Sequence, residues 1–352
     1  MSSTLELTRP TTTATENQRR GGSMPRRDPW FDNAKMLLVT LVVVGHAWTV
    51  LPASRPHSWL YDFLYLWHVP AFVMVTGYLS RSFTWSRAGL TKLLTGVALP
   101  YVVFEAAMAL FRTRVGGEHL EDVFADPHWP MWYLAALFLW RLATPLLRSP
   151  KVLGVAVATS LVGGLTTGEW LDTARTMGLL PFFVLGLLAR REHLEMLRRP
   201  NVRVGAAVTL ATAFALTWFM EGRMQTEWLY WRSSYDELGV SFTEGVLVRA
   251  GLLVVATAVA LSFLALVPRR AGWFSRLGAA TLVVYLFHGF FVKSAQYAGA
   301  GDWAENHPWL GLLVTTALAV VLALCLAAPP VARRLNVVVD PVATLRRHRA
   351  HA

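Results

Sequence analysis

Three histidines and a glutamate lie inside apolar stretches that otherwise avoid ionisable side chains: His46, His68, His288 and Glu105. Such groups are costly in lipid and mark functional sites by default. Burial lowers a histidine's pKa, so a ring held away from water stays a neutral base, able to take the proton of a hydroxyl attacking a carbonyl. The plainer reading of each histidine alone is a hydrogen bond between helices. Counting along the helices places all three rings between mid-membrane and the outer leaflet, the common depth that a shared cavity needs. Glu105 reads either as a partner neutralising a buried imidazole or as a cross-helix hydrogen bond. Three histidines also raise metal binding, but no carboxylate or cysteine stands at ligand spacing, so no metal is expected. Cys325 is the single cysteine and sits in an apolar run, which excludes an intramolecular disulfide.

Lys35 precedes His46 by eleven residues. Eleven steps of roughly 100° come to about three turns plus 20°, so the pair shares one helix face about 16 Å apart along the axis. A cation at the membrane edge and a deeper imidazole on one stripe suit a phosphate-bearing thioester reaching in from the cytoplasm. The alternative is that Lys35 only follows the charge rule of cytoplasmic segments. Gly45, beside the histidine, permits close approach of backbone or substrate. Pro70, two residues after His68, withholds a backbone donor, a device tolerated where a cavity uses backbone polarity.

The elements that must position these residues read as membrane helices. The chain has 352 residues, 54% hydrophobic and only 16% charged, where a soluble domain is nearer a quarter charged. Apolar runs recur near Met36–Leu51, Trp59–Leu79, Leu90–Phe111, Trp132–Leu147, Val152–Leu165, Thr173–Ala189, Val202–Met220, Val246–Val267, Thr281–Val292 and Trp309–Ala328. They predict an all-α polytopic bundle of about ten transmembrane helices; the fifth and sixth, split at Thr166–Asp172, are the weakest signals. With the N-terminus inside, alternation leaves only eight of the 33 Lys and Arg for the outer side, together with most of the acids. Dropping one helix would swap every later loop and spoil this asymmetry, so both ends are expected in the cytoplasm. The net charge of +11 is then an orienting charge, which removes the reason to invoke nucleic acid. Residues 1–30 read as a disordered cytoplasmic tail without a cleavable signal, 31–332 as one membrane domain and 333–352 as a basic cytoplasmic tail. Met24 is a candidate alternative start.

Trp and Tyr crowd the outer side, as an interfacial belt or as a sugar-stacking surface at the mouth of a site. The Glu221–Glu244 loop, long and mixed, offers Trp231 and Tyr235 as substrate contacts.

The motifs resemble the acyltransferase 3 family of membrane-bound O-acyltransferases, in a branch similar to fucose 4-O-acetylases. The resemblance runs through Asp32-Asn33-Ala34-Lys35…Gly45-His46, then Trp67-His68-Val69-Pro70-Ala71-Phe72…Gly77-Tyr78-Leu79 and Leu99-Pro100-Tyr101. It continues through Trp132-Tyr133-Leu134…Leu137-Phe138, Pro181-Phe182-Phe183…Gly186 and Leu277-Gly278…Leu282…Tyr285-Leu286-Phe287-His288. It implies acyl transfer, usually acetyl from acetyl-CoA, to a hydroxyl of a sugar, glycan, lipid-linked glycan or metabolite. By carry-over His46 is the prime catalytic residue and Lys35 stands where many members have arginine. Asp32, Trp132 and Tyr285, within these blocks, join the candidate substrate contacts. Two departures stand out: Thr76 replaces the serine before Gly77-Tyr78, and the R-x-x-R pattern of the third helix is absent.

On this reading Lys35, Lys92, Arg81 and Arg87 hold the phosphates of acyl-CoA at the cytoplasmic mouth. His46 is the general base, and His68 or His288 steadies the developing oxyanion. The expected partners are acyl-CoA, a sugar, glycan or metabolite acceptor, and the lipid bilayer of the plasma membrane. A transporter or flippase is the competing class, against which stands the lack of an internal repeat.

Overall fold

Helix starts follow local chemistry. The Asp28 carboxylate accepts the Trp30 N–H at 2.9 Å, and Pro29 opens α1 (Pro29–Trp48) with its φ already set. Ser54 caps α2 (Arg55–Leu79) and Ser86 caps α3 (Arg87–Val115), each hydroxyl accepting a backbone N–H of the first turn. Pro100 has no N–H for the carbonyl one turn back, and α3 widens there into a π-helical stretch over Leu94–Ala98. The remaining long helices are α4 (Trp132–Ala143), α5 (Val152–Val162), α6 (Thr173–Leu188), α7 (Pro200–Met220), α8 (Phe242–Leu266), α9 (Thr281–Tyr297) and α10 (Pro308–Ala327).

The computed structural model describes residues 28–340 except 128, 167 and 169, and among them there is no strand. Of the two expected tails, 1–27 and 341–352 lie outside these residues; Asp28, Pro29 and Trp30 instead cap and open α1, and 333–339 continue a helix, Pro329–Val339.

Among the described residues five helices are long and apolar enough to cross a membrane: α3, the stretch Trp170–Leu188 containing α6, and α7, α8 and α10. The others fall short for definable reasons. In α1 and α2 the apolar character is diluted by Asp32, Asn33, Lys35 and His46, and by His57, Asp62 and His68. Helices α4, α5 and α9 have 12, 11 and 17 residues. The outer helices turn large apolar side chains outward: Val204, Val208 and Leu216 on α7, Leu247 and Val254 on α8, and Leu313 and Leu318 on α10 are 55–71% exposed. So wide an apolar band requires hydrocarbon as its solvent.

Helix α2 is the axis, packed on α1, α6, α7, α8 and α10, while α1 also meets α9. Its contact with α6 is backbone to backbone. A Cβ on Gly77 would lie 2.1 Å from the Phe183 carbonyl oxygen, and one on Gly186 would lie 1.9 Å from that of Met74. Small residues let membrane helices approach this closely without a hydrophobic drive between them. Gly186→Val is expected to cost about 4 kcal/mol or more, abolishing the monodisperse peak and lowering the melting temperature of the purified protein. Gly205→Val, on α7 with open space around it, is the matched control and leaves both unchanged.

Candidate active site

The α2–α6 contact sets the wall of a cavity of about 300 Å³ at the end of the bundle where α1 finishes. His46 enters it from α1, Tyr65, His68 and Phe72 from α2, Trp132 and Tyr133 from α4, Arg175 from α6 and Tyr285 from α9. The segment before α4 adds Trp129 and Pro130, and the α7–α8 connection adds Leu229, Tyr230 and Arg232.

His288 stands behind His46. The His46 Nδ1 to His288 Nε2 distance is 2.8 Å, with the rings nearly parallel at 17°. His288 Nδ1 lies 2.6 Å from the Tyr285 carbonyl oxygen and 3.2 Å from that of Val284, so this nitrogen carries the proton and donates. In the neutral ring Nε2 is then an acceptor, and His46 must donate to it from Nδ1. That assignment, which follows from the hydrogen-bond network, leaves the lone pair of His46 on Nε2, with no hydrogen-bond partner among the described residues. His68 is fixed in the same sense: its Nδ1 donates to the Leu64 carbonyl at 2.7 Å, again leaving Nε2 as an acceptor. Two neutral imidazoles therefore line the cavity, one of them backed by a third ring. With these protons neither His68 nor His288 has an N–H to offer an oxyanion, the role the sequence reading considered for them. Hydrogen-bond donors on the wall include the Arg175 and Arg232 guanidinium groups and the Tyr65 hydroxyl.

Arg175 is one of the eight basic residues that alternation leaves to the outer side, although it lies inside the sixth apolar run, and the sequence does not mark it as a site residue. Its guanidinium pairs with Asp172 at 3.0 Å, donates to the Tyr230 carbonyl at 3.1 Å and stacks on Trp132 at 4.4 Å. An arginine so placed is expensive unless each contact is kept. Trp129 packs on His46 with ring centroids 4.5 Å apart and is overlooked by Lys293 at 6.0 Å. Glu118 anchors that corner. Partial burial alone would raise its carboxyl, but hydrogen bonds from Arg112, Tyr297 and Lys293 prevail and hold it down at about 2.

A second cavity, of about 200 Å³, approaches from the end where α1 begins and is lined by Lys35, Thr76, Gly96 and Arg141. It shares Phe72, Tyr133 and Tyr285 with the first, so these three side chains form the partition between the two. Tyr133 is set by a 2.5 Å hydrogen bond with the Thr76 hydroxyl, and Tyr285 donates to the Pro130 carbonyl. Thr76 thus supplies the hydroxyl that a serine would. Lys35 and His46 lie at the two ends of this path, as one helix face requires.

Other candidates are placed elsewhere. Asp32 pairs with Lys35 at 2.7 Å, away from the histidines. Glu105 is fully buried on α3, which packs on α9, and lines neither cavity. Arg81 stacks on Tyr78 at 3.5 Å and donates to the Ala189 carbonyl; Arg87 and Lys92 are exposed, and none of the three lines the second cavity, where Arg141 stands instead.

Trp231 and Tyr235 also miss the cavity. Trp231 adopts a left-handed backbone, φ 61°, a conformation costing a non-glycine residue about 1–3 kcal/mol. The turn sends its ring into the core against Phe182 while its neighbours Tyr230 and Arg232 face the cavity. Tyr235 donates to the Leu161 carbonyl at 2.7 Å and packs on Gly164 and Gly245. Gly45 accommodates the Tyr65 ring, not a ligand: a Cβ there would lie 3.1 Å from it. Among the described residues no three metal-ligating side chains converge.

A neutral base oriented by a second imidazole, in a pocket reached from two ends, can deprotonate a hydroxyl and pass the proton on. No curated protein and no solved structure shows significant similarity to the chain. The family model for the acyltransferase domain Acyl_transf_3 does match, over residues 28–328, which takes in α1 to α10, both cavities and all three histidines. On that match the chain belongs to the acyltransferase 3 family, and its helices form a membrane acyltransferase domain.

Proposed function

We propose that this protein is an O-acyltransferase of the plasma membrane that moves an acetyl group from acetyl-CoA to a hydroxyl of a sugar, glycan or related metabolite, in the manner of fucose 4-O-acetylases. The observation that carries the reading is the 2.8 Å His46–His288 contact, which leaves one lone pair facing the cavity. In this reading all ten helices cross the membrane with both ends in the cytoplasm. The coenzyme phosphates sit at Lys35 and Arg141, with Arg81, Arg87 and Lys92 drawing the anion toward that face, and the thioester reaches the Phe72–Tyr133–Tyr285 partition. The acceptor occupies the histidine cavity, its ring against Trp132 and Tyr230.

His46 Nε2 takes the hydroxyl proton as the oxygen bonds to the thioester carbon. Arg175 and the Tyr65 hydroxyl stabilise the oxyanion, the C–S bond breaks, and the thiolate recovers the proton from His46. His288 Nε2 holds His46 Nδ1–H throughout, fixing the tautomer that attack requires. The test compares glycans and metabolites of producing and deletion cells by mass spectrometry, alongside acetyl-CoA consumption in membranes. A missing acetyl-sized increment in the deletion, with consumption restored by the wild-type chain, is expected. Solute movement without acetyl-CoA turnover would replace this reading with a transporter.

A further inference from the structure

A separate chamber of about 320 Å³ lies where α1 begins and α2, α6 and α8 end, and it shares no wall residue with the histidine cavity. Phe31, Met74, Leu185, Leu194, Val202 and Leu264 are among its walls. Two polar ring atoms of its walls are already committed: the Trp30 N–H donates to the Leu264 carbonyl at 3.2 Å, and His193 Nδ1 accepts the Arg190 N–H. Water finds little to bind there, so the chamber suits an apolar occupant.

Through Phe31, Tyr78 and Leu194 the chamber continues into a polar recess where Arg191 and Arg269 face Asp28 and Glu195. Glu195 is already paired with Arg198 at 2.8 Å, and Arg81 stacks on Tyr78 beside the opening. Four guanidinium groups against two carboxylates leave the mouth cationic. Tyr78, partly exposed, stands at the opening, as aromatic rings do where headgroups meet hydrocarbon. An apolar slot ending at a positive rim at that level matches an acyl chain with an anionic head.

We propose that this chamber binds one acyl chain of an anionic phospholipid, with its phosphate against Arg191 and Arg269. The lipid braces the short helix Arg191–Met196 against α2, at a distance from the transfer site.

Native mass spectrometry of the purified full-length protein, exposed to phosphatidylglycerol or phosphatidylcholine, tests it. Wild type is expected to retain phosphatidylglycerol over phosphatidylcholine, Arg191→Gln to lower that preference about fivefold, and Arg191→Glu to lower it further. Filling the chamber by Ala189→Phe, or by Met196→Trp should the first variant not fold, removes the retained lipid. Equal retention of both lipids, an unchanged preference in Arg191→Gln, lipid retained in a filled chamber, or displacement by acetyl-CoA would each overturn the proposal.

Discussion

His46→Ala is expected to lower acyl transfer by about 10²–10⁴-fold, the span that a positioned general base contributes, in a protein that still folds. The expectation of intact folding rests on the surroundings of the ring. Among the described residues His46 makes one side-chain hydrogen bond, to His288, and it packs on Trp129 across a face. Removing it leaves His288 anchored through Nδ1 to the Tyr285 carbonyl, with its Nε2 open to the cavity. A cavity that already admits solvent can hydrate that acceptor, so the stability cost stays small. Steady-state turnover, melting temperature and elution profile read the two effects apart. Transfer at the wild-type rate in a correctly folded His46→Ala protein would remove His46 from the chemistry and leave His68 as the remaining imidazole on the cavity wall.

How much of this was legible beforehand depends on which physical signal each residue leaves. The three histidines were visible because polar side chains stand out against apolar runs, and Lys35 and His46 were tied together by helical period alone. Their pairing was not visible: that His288 backs His46 while His68 bonds its own helix depends on how α9 and α2 rotate about their axes, which sequence period does not fix. Trp231 shows a sharper failure. Its composition suggested a recognition loop, and the loop does contribute to the cavity, but a left-handed turn reverses which residues face inward, giving Tyr230 and Arg232 in place of Trp231 and Tyr235. Arg175 failed for the opposite reason. Positive charge near a helix end is ordinarily a topology signal, and nothing short of the Asp172 and Trp132 contacts distinguishes a cavity arginine from a loop arginine. Helices α1 and α2, expected as spans from their apolar runs, fall short of a spanning hydropathy over their full lengths because the polar residues of the site lie on them, a conflict between local pattern and function that is expected at functional positions.

His288→Phe carries the second large expectation, a fall of about 10²-fold in kcat with the KM for acetyl-CoA little changed. The ring of His288 lies behind His46 and lines neither cavity, so its loss removes no contact to donor or acceptor. What is lost is the acceptor for His46 Nδ1–H. Phenylalanine keeps the volume between α1 and α9 but leaves that N–H facing an apolar edge, which costs about 1–3 kcal/mol if the tautomer is held. The ring escapes the penalty by moving its proton to Nε2 and turning, and both moves take the lone pair out of the cavity. A base in the wrong tautomer binds substrate normally and fails only in the proton transfer, which is why kcat and not KM should respond. His288→Gln separates this from a packing defect: its amide oxygen can accept the same N–H and should recover part of the rate. Equal losses in both variants, or a rise in KM matching the fall in kcat, would instead make His288 a spacer between helices and leave His46 to act without an orienting partner.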